Sequence, residues 1–403
     1  MDKLINGFIF LFAIFSPFSI AGANISLLLA LLLWLVKIIK SGRIEIQRNS
    51  LNVPLIALVA AAGLSVLAST DFLWSLKKYD SMWMAVIFFL AANNFKDKHS
   101  MKTAITALII FTCITGMGGI FEHYFRVGFF QNENSKAYKY LAEPLHRSVG
   151  PFHHPVVFGM YLMMVIPLIL PRLNAFNEIK SRWLSIIALL ITTMGLIYTY
   201  SRGCWIAVLA ALLFYGIMNI KPRKLLSWSI AGLIVLLLTV GLFPKWDFSV
   251  RVKSIFDLKY NNSNISRMSG WATSIKMMKD YPVFGVGWNR AGAENSRYIE
   301  SNEKIFNHAH NMFINFAVET GIIGLGVLLW FYAVLFKAGL RIIRQTKDKN
   351  LKLVACSIMA SVVAFIVSGM VDYPFNLPVI VSLFYFLIGI LFAIPEMERS
   401  QHG

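Results

Sequence analysis

Twelve long apolar runs constrain this chain more than any other feature. They lie near 5–21, 23–39, 53–69, 81–94, 103–121, 154–171, 183–200, 203–219, 226–243, 311–336, 352–371 and 376–394. A bilayer core about 30 Å thick is crossed by roughly 20 apolar residues in a helix. Lipid offers backbone N–H and C=O groups no partners, so a spanning segment must satisfy its own hydrogen bonds. The expectation is an all-α polytopic membrane protein, a single membrane domain over 1–403, with 81–94 its least regular span because that run is short and polar at both ends. Composition agrees: only 14% of residues are charged and the mean hydropathy is +0.63, whereas soluble domains carry about 25% charged residues. The first run has no small-residue cleavage site and reads as a retained span.

The net charge of +18 raises the question of nucleic acid, but the basic residues alternate from loop to loop. Lys37, Lys40, Arg43 and Arg48 follow the second run, and Lys96, Lys98 and Lys102 the fourth. Arg172, Lys180 and Arg182 follow the sixth, Lys221, Arg223 and Lys224 the eighth, and Lys337, Arg341, Arg344, Lys347, Lys349 and Lys352 the tenth. Short loops rich in Lys and Arg stay in the cytoplasm, which places both termini there and leaves no call for nucleic acid. Two long segments, 122–153 and 244–310, then lie outside. Within the second, 266–280 reads as a helix, with Met268, Trp271, Ile275 and Met278 on one apolar face and Pro282, Gly285 and Gly287 closing it; that stripe is expected to pack. Cys113, Cys204 and Cys356 fall in apolar runs without metal or disulfide spacing.

The groups able to carry chemistry gather on the outer face. His310 stands at the mouth of the tenth run, and because an imidazole can accept a proton it is a candidate base; an interfacial ring that simply snorkels to water reads it equally well. Asn311 beside it can orient a ring or a hydroxyl. His308 and His310 would make a metal pair, but no acid or Cys cluster accompanies them in sequence, and no metal is expected. Glu319 lies nine residues on, on the opposite helix face, and is expected to hydrogen-bond to neighbouring helices, while Gly321, Gly324 and Gly326 let helices approach. Arg202, in the short Tyr200-Ser201-Arg202-Gly203 turn, presents a fixed fork of donors suited to phosphate. Arg267 has Trp271 one turn on. Arg147 precedes the Gly150-Pro151-Phe152-His153-His154-Pro155 entry to the sixth run, and Asp372 sits just beyond the eleventh, free to pair with an arginine or to face water. Cations plus a base at a lipid–water boundary suit a lipid-linked diphosphate and a hydroxyl nucleophile. With no phosphate-binding loop and no acidic nucleotide-sugar motif, the energy must arrive with the substrate.

These residues resemble a known family. His310-Asn311, nine residues, then Gly321-Ile322-Ile323-Gly324 is similar to the HN-x9-GxxG signature of bacterial O-antigen ligases. The Ser201-Arg202-Gly203 turn, the Arg267…Trp271 element and the Gly150-Pro151-Phe152…Pro155 entry resemble other pieces of the O-antigen ligase/polymerase superfamily. The resemblance covers about 147–326. It implies a membrane glycosyltransferase of the polyprenyl-donor class in the bacterial inner membrane, with its site on the periplasmic face and no cofactor. The donor would be a glycan on undecaprenyl diphosphate and the acceptor lipid A–core oligosaccharide. By the same resemblance, Arg202 and Arg267 would hold the diphosphate and His310 would activate or orient the acceptor hydroxyl, with Arg147, Asn311, Asp372 and Trp271 contacting substrate. Two relatives share these motifs, a polymerase of repeat units and a protein O-oligosaccharyltransferase. From a different class, a transporter of lipid-linked sugar would suit twelve spans and an intramembrane Glu319, but the sequence has no inverted repeat and no matching pair of broken helices.

Overall fold

The computed structural model describes residues 1–42, 46–131, 135, 137–143, 145–175, 179–219, 252, 262–299 and 308–400. Among these residues there is no strand. The chain is an all-α membrane bundle of α1 (Asp2–Phe15), α2 (Ile20–Ser41), α3 (Asn52–Leu67), α4 (Phe72–Tyr79), α5 (Val86–Asn94), α6 (Lys98–Phe125), α7 (Tyr138–Ala142), α8 (Pro155–Ala175), α9 (Ile179–Tyr198), α10 (Arg202–Asn219), α11 (Asn262–Asp280), α12 (Ala291–Glu294), α13 (Met312–Gln345), α14 (Lys349–Gly369) and α15 (Pro378–Arg399). Eight of these helices, α2, α6, α8, α9, α10, α13, α14 and α15, are long and apolar enough to cross a membrane.

The other four expected spans fare differently. The run 226–243 lies outside the described residues. α1 and α3 form where expected but have 14 and 16 residues. The run 81–94 is not one helix: a 3-10 turn at Asp80–Ala85 joins α4 to α5, so the return path starts earlier and is broken midway. Tyr79 at the break donates its hydroxyl to the Val59 carbonyl of α3 at 2.9 Å.

α14 and α15 form the centre. α15 is apolar all round, and a helix of that kind is stable only when surrounded; 89% of its apolar window is buried, against 28% for α2, whose Ile25, Leu28 and Leu32 are exposed. The N-terminal hairpin is tied at its base by the Lys37–Asp2 pair at 2.6 Å.

α13 is the unusual element. Its 34 residues are interrupted at Gly321, with φ 66° and ψ −168°, a conformation essentially confined to glycine. The break leaves carbonyls without their helical donors, and the turn after α11 supplies replacements. Val286 N–H donates to Val318 O at 2.9 Å and Gly287 N–H to Glu319 O at 3.2 Å, while Ile322 N–H turns to Pro282 O at 2.9 Å. A Cβ on Gly321 would collide with the Val283 carbonyl, and one on Gly285 with the Glu319 carbonyl. These glycines therefore splice a loop into a helix. This corrects the expectation of close helix approach: Gly324 abuts only the side chain of Thr320 in its own helix, and Gly326 faces open space. A broken helix is tolerated at membrane depth when protein fills the gap, as Pro282–Gly287 does here.

Candidate functional site

The ends of α6, α9 and α14 meet the starts of α8, α10 and α13 at one end of the bundle, and a cavity of about 870 Å³ opens there. Arg147, His154, Arg202, Arg267, Trp271, His310 and Asp372 line it. Six of these seven were singled out as catalytic or substrate-contacting in the sequence; the seventh, His154, was left open. Segments more than 200 residues apart in sequence thus deliver their polar side chains to one place, beside the positive ends of three helix dipoles, a setting that favours an anion.

Three arginines line the cavity, two of them placed by a backbone carbonyl. Arg147 donates from Nε to Thr199 O at 3.0 Å, and its guanidinium stands 5.9 Å over the Tyr140 ring. Thr199 opens the turn that ends in Arg202, so this bond brings the two arginines together. Arg202 begins α10 and is only 9% exposed. The glycine after it permits close packing: a Cβ on Gly203 would lie 2.7 Å from Val371 Cγ2. Arg267, on α11, donates from Nε to Val371 O at 3.1 Å. Burial lowers its pKa and the Asp372 charge partly offsets this; a guanidinium stays a cation in proteins. The loop carrying Arg147 is clamped from α6, where the Glu122 carboxylate accepts from Val149 N–H at 3.1 Å and Gly150 N–H at 2.8 Å.

The imidazole wall is a carboxylate between two imidazoles, and Arg267 reaches its edge at Val371. Asp372 Oδ1 lies 3.7 Å from His310 Nδ1 and 3.8 Å from His308 Nε2. These are longer than hydrogen bonds, as catalytic contacts often are before substrate arrives. His308 Nδ1 accepts the His310 backbone N–H at 3.3 Å, which puts the His308 proton on Nε2, toward Asp372. Burial pushes the His308 pKa down to about 4 in spite of Asp372, and pushes His154 to about 4 with Arg147 adding to the effect, so both rings are neutral at pH 7. Burial opposes ionisation of Asp372, but the His310 contact, the neighbouring imidazole charges and the Tyr373 N–H hold its carboxyl net below the usual range. A carboxylate facing Nδ1 favours the tautomer with its proton there, leaving His310 Nε2 as the basic nitrogen. His310 itself sits at φ 49° and Tyr200, at the foot of the arginine wall, at φ 50°. Left-handed backbone in non-glycine residues is uncommon and clusters at functional sites.

Sequence proximity missed Asp372 as the partner of both histidines, and His308 as its second neighbour. The two residues lie 64 and 62 positions from Asp372, and no periodicity links them. This corrects the expectation that no acid accompanies the His pair: the three donor atoms lie within 4.8 Å of one another. The arrangement nevertheless suits carboxylate–imidazole pairing better than a metal, because a metal on His308 Nε2 needs the proton on Nδ1, the nitrogen that accepts a backbone N–H here. Asn311 is the N-cap of α13, with Oδ1 accepting from Phe313 and Ile314 N–H and Nδ2 donating to Met370 O at 3.0 Å. Its amide anchors the site's backbone at both ends.

α11 occupies the expected 266–280 and extends it to Asn262–Asp280. Its packed face is Gly270, Thr273, Ser274 and Met277. The apolar stripe expected to pack instead lines the cavity through Met268, Trp271 and Ile275, while Met278 packs near Met277. Met268 is 55% and Ile275 51% exposed, and Ile206 of α10 across the opening is 42% exposed, so the cavity has an apolar flank.

Residues 187–329 match the family described as O-antigen ligase. That match, over 143 of the 403 residues, supports a place in the O-antigen ligase/polymerase superfamily. The eight long apolar helices among the described residues make the chain a multi-pass membrane protein, and the match supports an O-antigen ligase/polymerase-type function. The match covers Arg202, Arg267, Trp271, His310 and Asn311; Arg147, His154 and Asp372 reach the same cavity from outside it. No curated protein matches the chain.

Proposed function

We propose that this protein is an O-antigen ligase that moves a glycan from undecaprenyl diphosphate to lipid A–core oligosaccharide at the periplasmic face of the inner membrane. The observation that carries this reading is one cavity lined by three arginines, by His310 with Asp372, and by an apolar flank. A diphosphate between Arg147, Arg202 and Arg267 would be met by charge-assisted hydrogen bonds. Its prenyl chain would leave along Met268, Ile275 and Ile206 into lipid. The acceptor hydroxyl would give its proton to His310 Nε2 as its oxygen bonds the anomeric carbon. The bond from that carbon to the diphosphate breaks, and the leaving diphosphate takes the electron pair. The arginines stabilise the charge that grows there, and Asp372 stabilises the imidazolium. The step needs neither ATP nor a metal. A transporter is a poorer fit, since the polar residues cluster at one end of the helices and the break in α13 is filled by backbone.

The test is reconstitution of the purified protein with lipid-linked glycan and lipid A–core. Transfer is expected, and it should be lost in Arg202→Ala protein that still inserts and folds. Products separate the nearest rival: a strain lacking the protein should accumulate long chains on the carrier lipid. Single repeat units in that strain would instead identify a polymerase and overturn the ligase reading.

A further inference from the structure

Behind the imidazole wall lies a buried polar cluster, Asn315, Glu319 and Tyr373, none of which lines the cavity. The Tyr373 hydroxyl donates to Glu319 Oε2 at 2.8 Å, joining residues 54 positions apart. Both are only 2% exposed. The Asn315 amide faces the same carboxylate, and its Oδ1 accepts the N–H of Ala309 at 2.9 Å, the residue between His308 and His310. Tyr373 in turn donates its own N–H to Asp372 Oδ1 at 2.8 Å. Three buried residues thus grip both strands of the imidazole wall, one at the middle of the His-Ala-His turn and the other at the residue next to Asp372. Glu319 is itself held rigidly, because it lies two residues before the break in α13 and its carbonyl receives Gly287 N–H and the Ser65 hydroxyl at 2.5 Å in place of a helical donor.

We infer that Glu319 and Tyr373 are positioning residues of the transfer reaction, fixing the Asp372 carboxylate against the His310 ring through their buried hydrogen bond. The inference rests on the proposed role of the His310–Asp372 pair. A buried carboxylate is costly unless its bonds are all used, and replacing this pair by apolar residues would serve bundle stability as well. What an apolar pair would not supply is direction: a hydroxyl donor at a set distance fixes where the 372–373 backbone lies, and misplacement by about 1 Å at a catalytic group lowers a rate about 100-fold.

A double-mutant cycle on the full-length protein tests this, with lipid-linked glycan and lipid A–core as substrates. Asp372→Asn and Tyr373→Phe should each lower kcat, by about 100-fold and about tenfold, with the donor KM within about twofold. Combined, they should be no slower than Asp372→Asn alone, because the hydroxyl acts only through Asp372. Glu319→Gln, whose amide oxygen still accepts the Tyr373 hydroxyl, should keep kcat within about threefold, whereas Glu319→Leu should not; this pair also decides the matter if Tyr373→Phe fails to fold. Additive losses, or a Tyr373→Phe kcat equal to wild type beside a slowed Asp372→Asn, overturn the inference while leaving the site reading intact. An unslowed Asp372→Asn overturns the site reading and the inference with it.

Discussion

The arginine wall and the imidazole wall of the cavity are held in different ways. Arg147 and Arg267 are placed through their side chains, whose Nε atoms donate to the backbone carbonyls of Thr199 and Val371. The imidazole wall is held at the backbone: a left-handed His310, an Asn311 cap, and the buried Asn315–Glu319–Tyr373 cluster beneath. The contrast fits the tasks proposed for them. A diphosphate carrying several oxygens can be met by side-chain donors from several directions, whereas proton transfer demands a fixed nitrogen.

The comparison can be broken in several places. The largest effect is expected at His310→Ala, which should lower kcat about 1,000-fold with the donor KM nearly unchanged; steady-state kinetics of the purified protein would show this. If only KM rose, the ring would be part of the cradle and the two walls would not differ. Next is Gly321→Ala. Its Cβ meets the Val283 carbonyl and its φ is wrong for alanine, so about 3 kcal/mol of stability should be lost, read as faster thermal inactivation of purified protein. Gly326→Ala in the same helix, with open space around it, should be stable.

Arg267→Lys sharpens the arginine side. It keeps the charge but loses the planar fork and the Nε bond to Val371, and kcat/KM should fall about tenfold, mostly through donor KM. Acid pH then tests both walls by stability. His154 and His308 titrate at about 4 in the folded protein against an ordinary 6.5. The unfolded chain therefore binds more protons between those values, and stability should fall as pH drops from 6.5 toward 4. Asp372 acts in the same sense over a lower range: held below its ordinary 3.8, it contributes stability above that value, and this is lost as pH falls below it. Inactivation midpoints measured across pH should flatten in both His154→Gln, on the arginine side, and His308→Gln, on the imidazole side. The smallest effect belongs to Asn311. Asn311→Ser retains a capping oxygen and should change kcat less than about twofold, while Asn311→Ala should lose about 1 kcal/mol of stability. A large kcat loss in the serine variant would show that the amide contacts substrate.

Much of this was legible in the chain. Arg202 was readable because a four-residue turn between apolar runs leaves a guanidinium nowhere else to go, and His310 because an imidazole stands at the mouth of a span. The α11 helix was readable from its three-and-four spacing, but the direction of its apolar stripe was not: Met268, Trp271 and Ile275 suit a packed face and a cavity wall equally. The glycines of α13 misled for a related reason. GIIG looks the same whether it admits a neighbouring helix or a φ of 66°, and only the turn 282–287 seated in the gap decides between them.

By itself the sequence determined the solvent, the helices and the cations at one end of the bundle, because hydropathy and spacing are properties of windows of about 20 residues. The tertiary structure alone decided the partners: Asp372 with two histidines more than 60 residues away, Tyr373 with Glu319, and Arg267 with a carbonyl 104 residues distant. Such contacts depend on how helices pack against one another, and a side chain's local surroundings in sequence carry no record of what lies across the bundle.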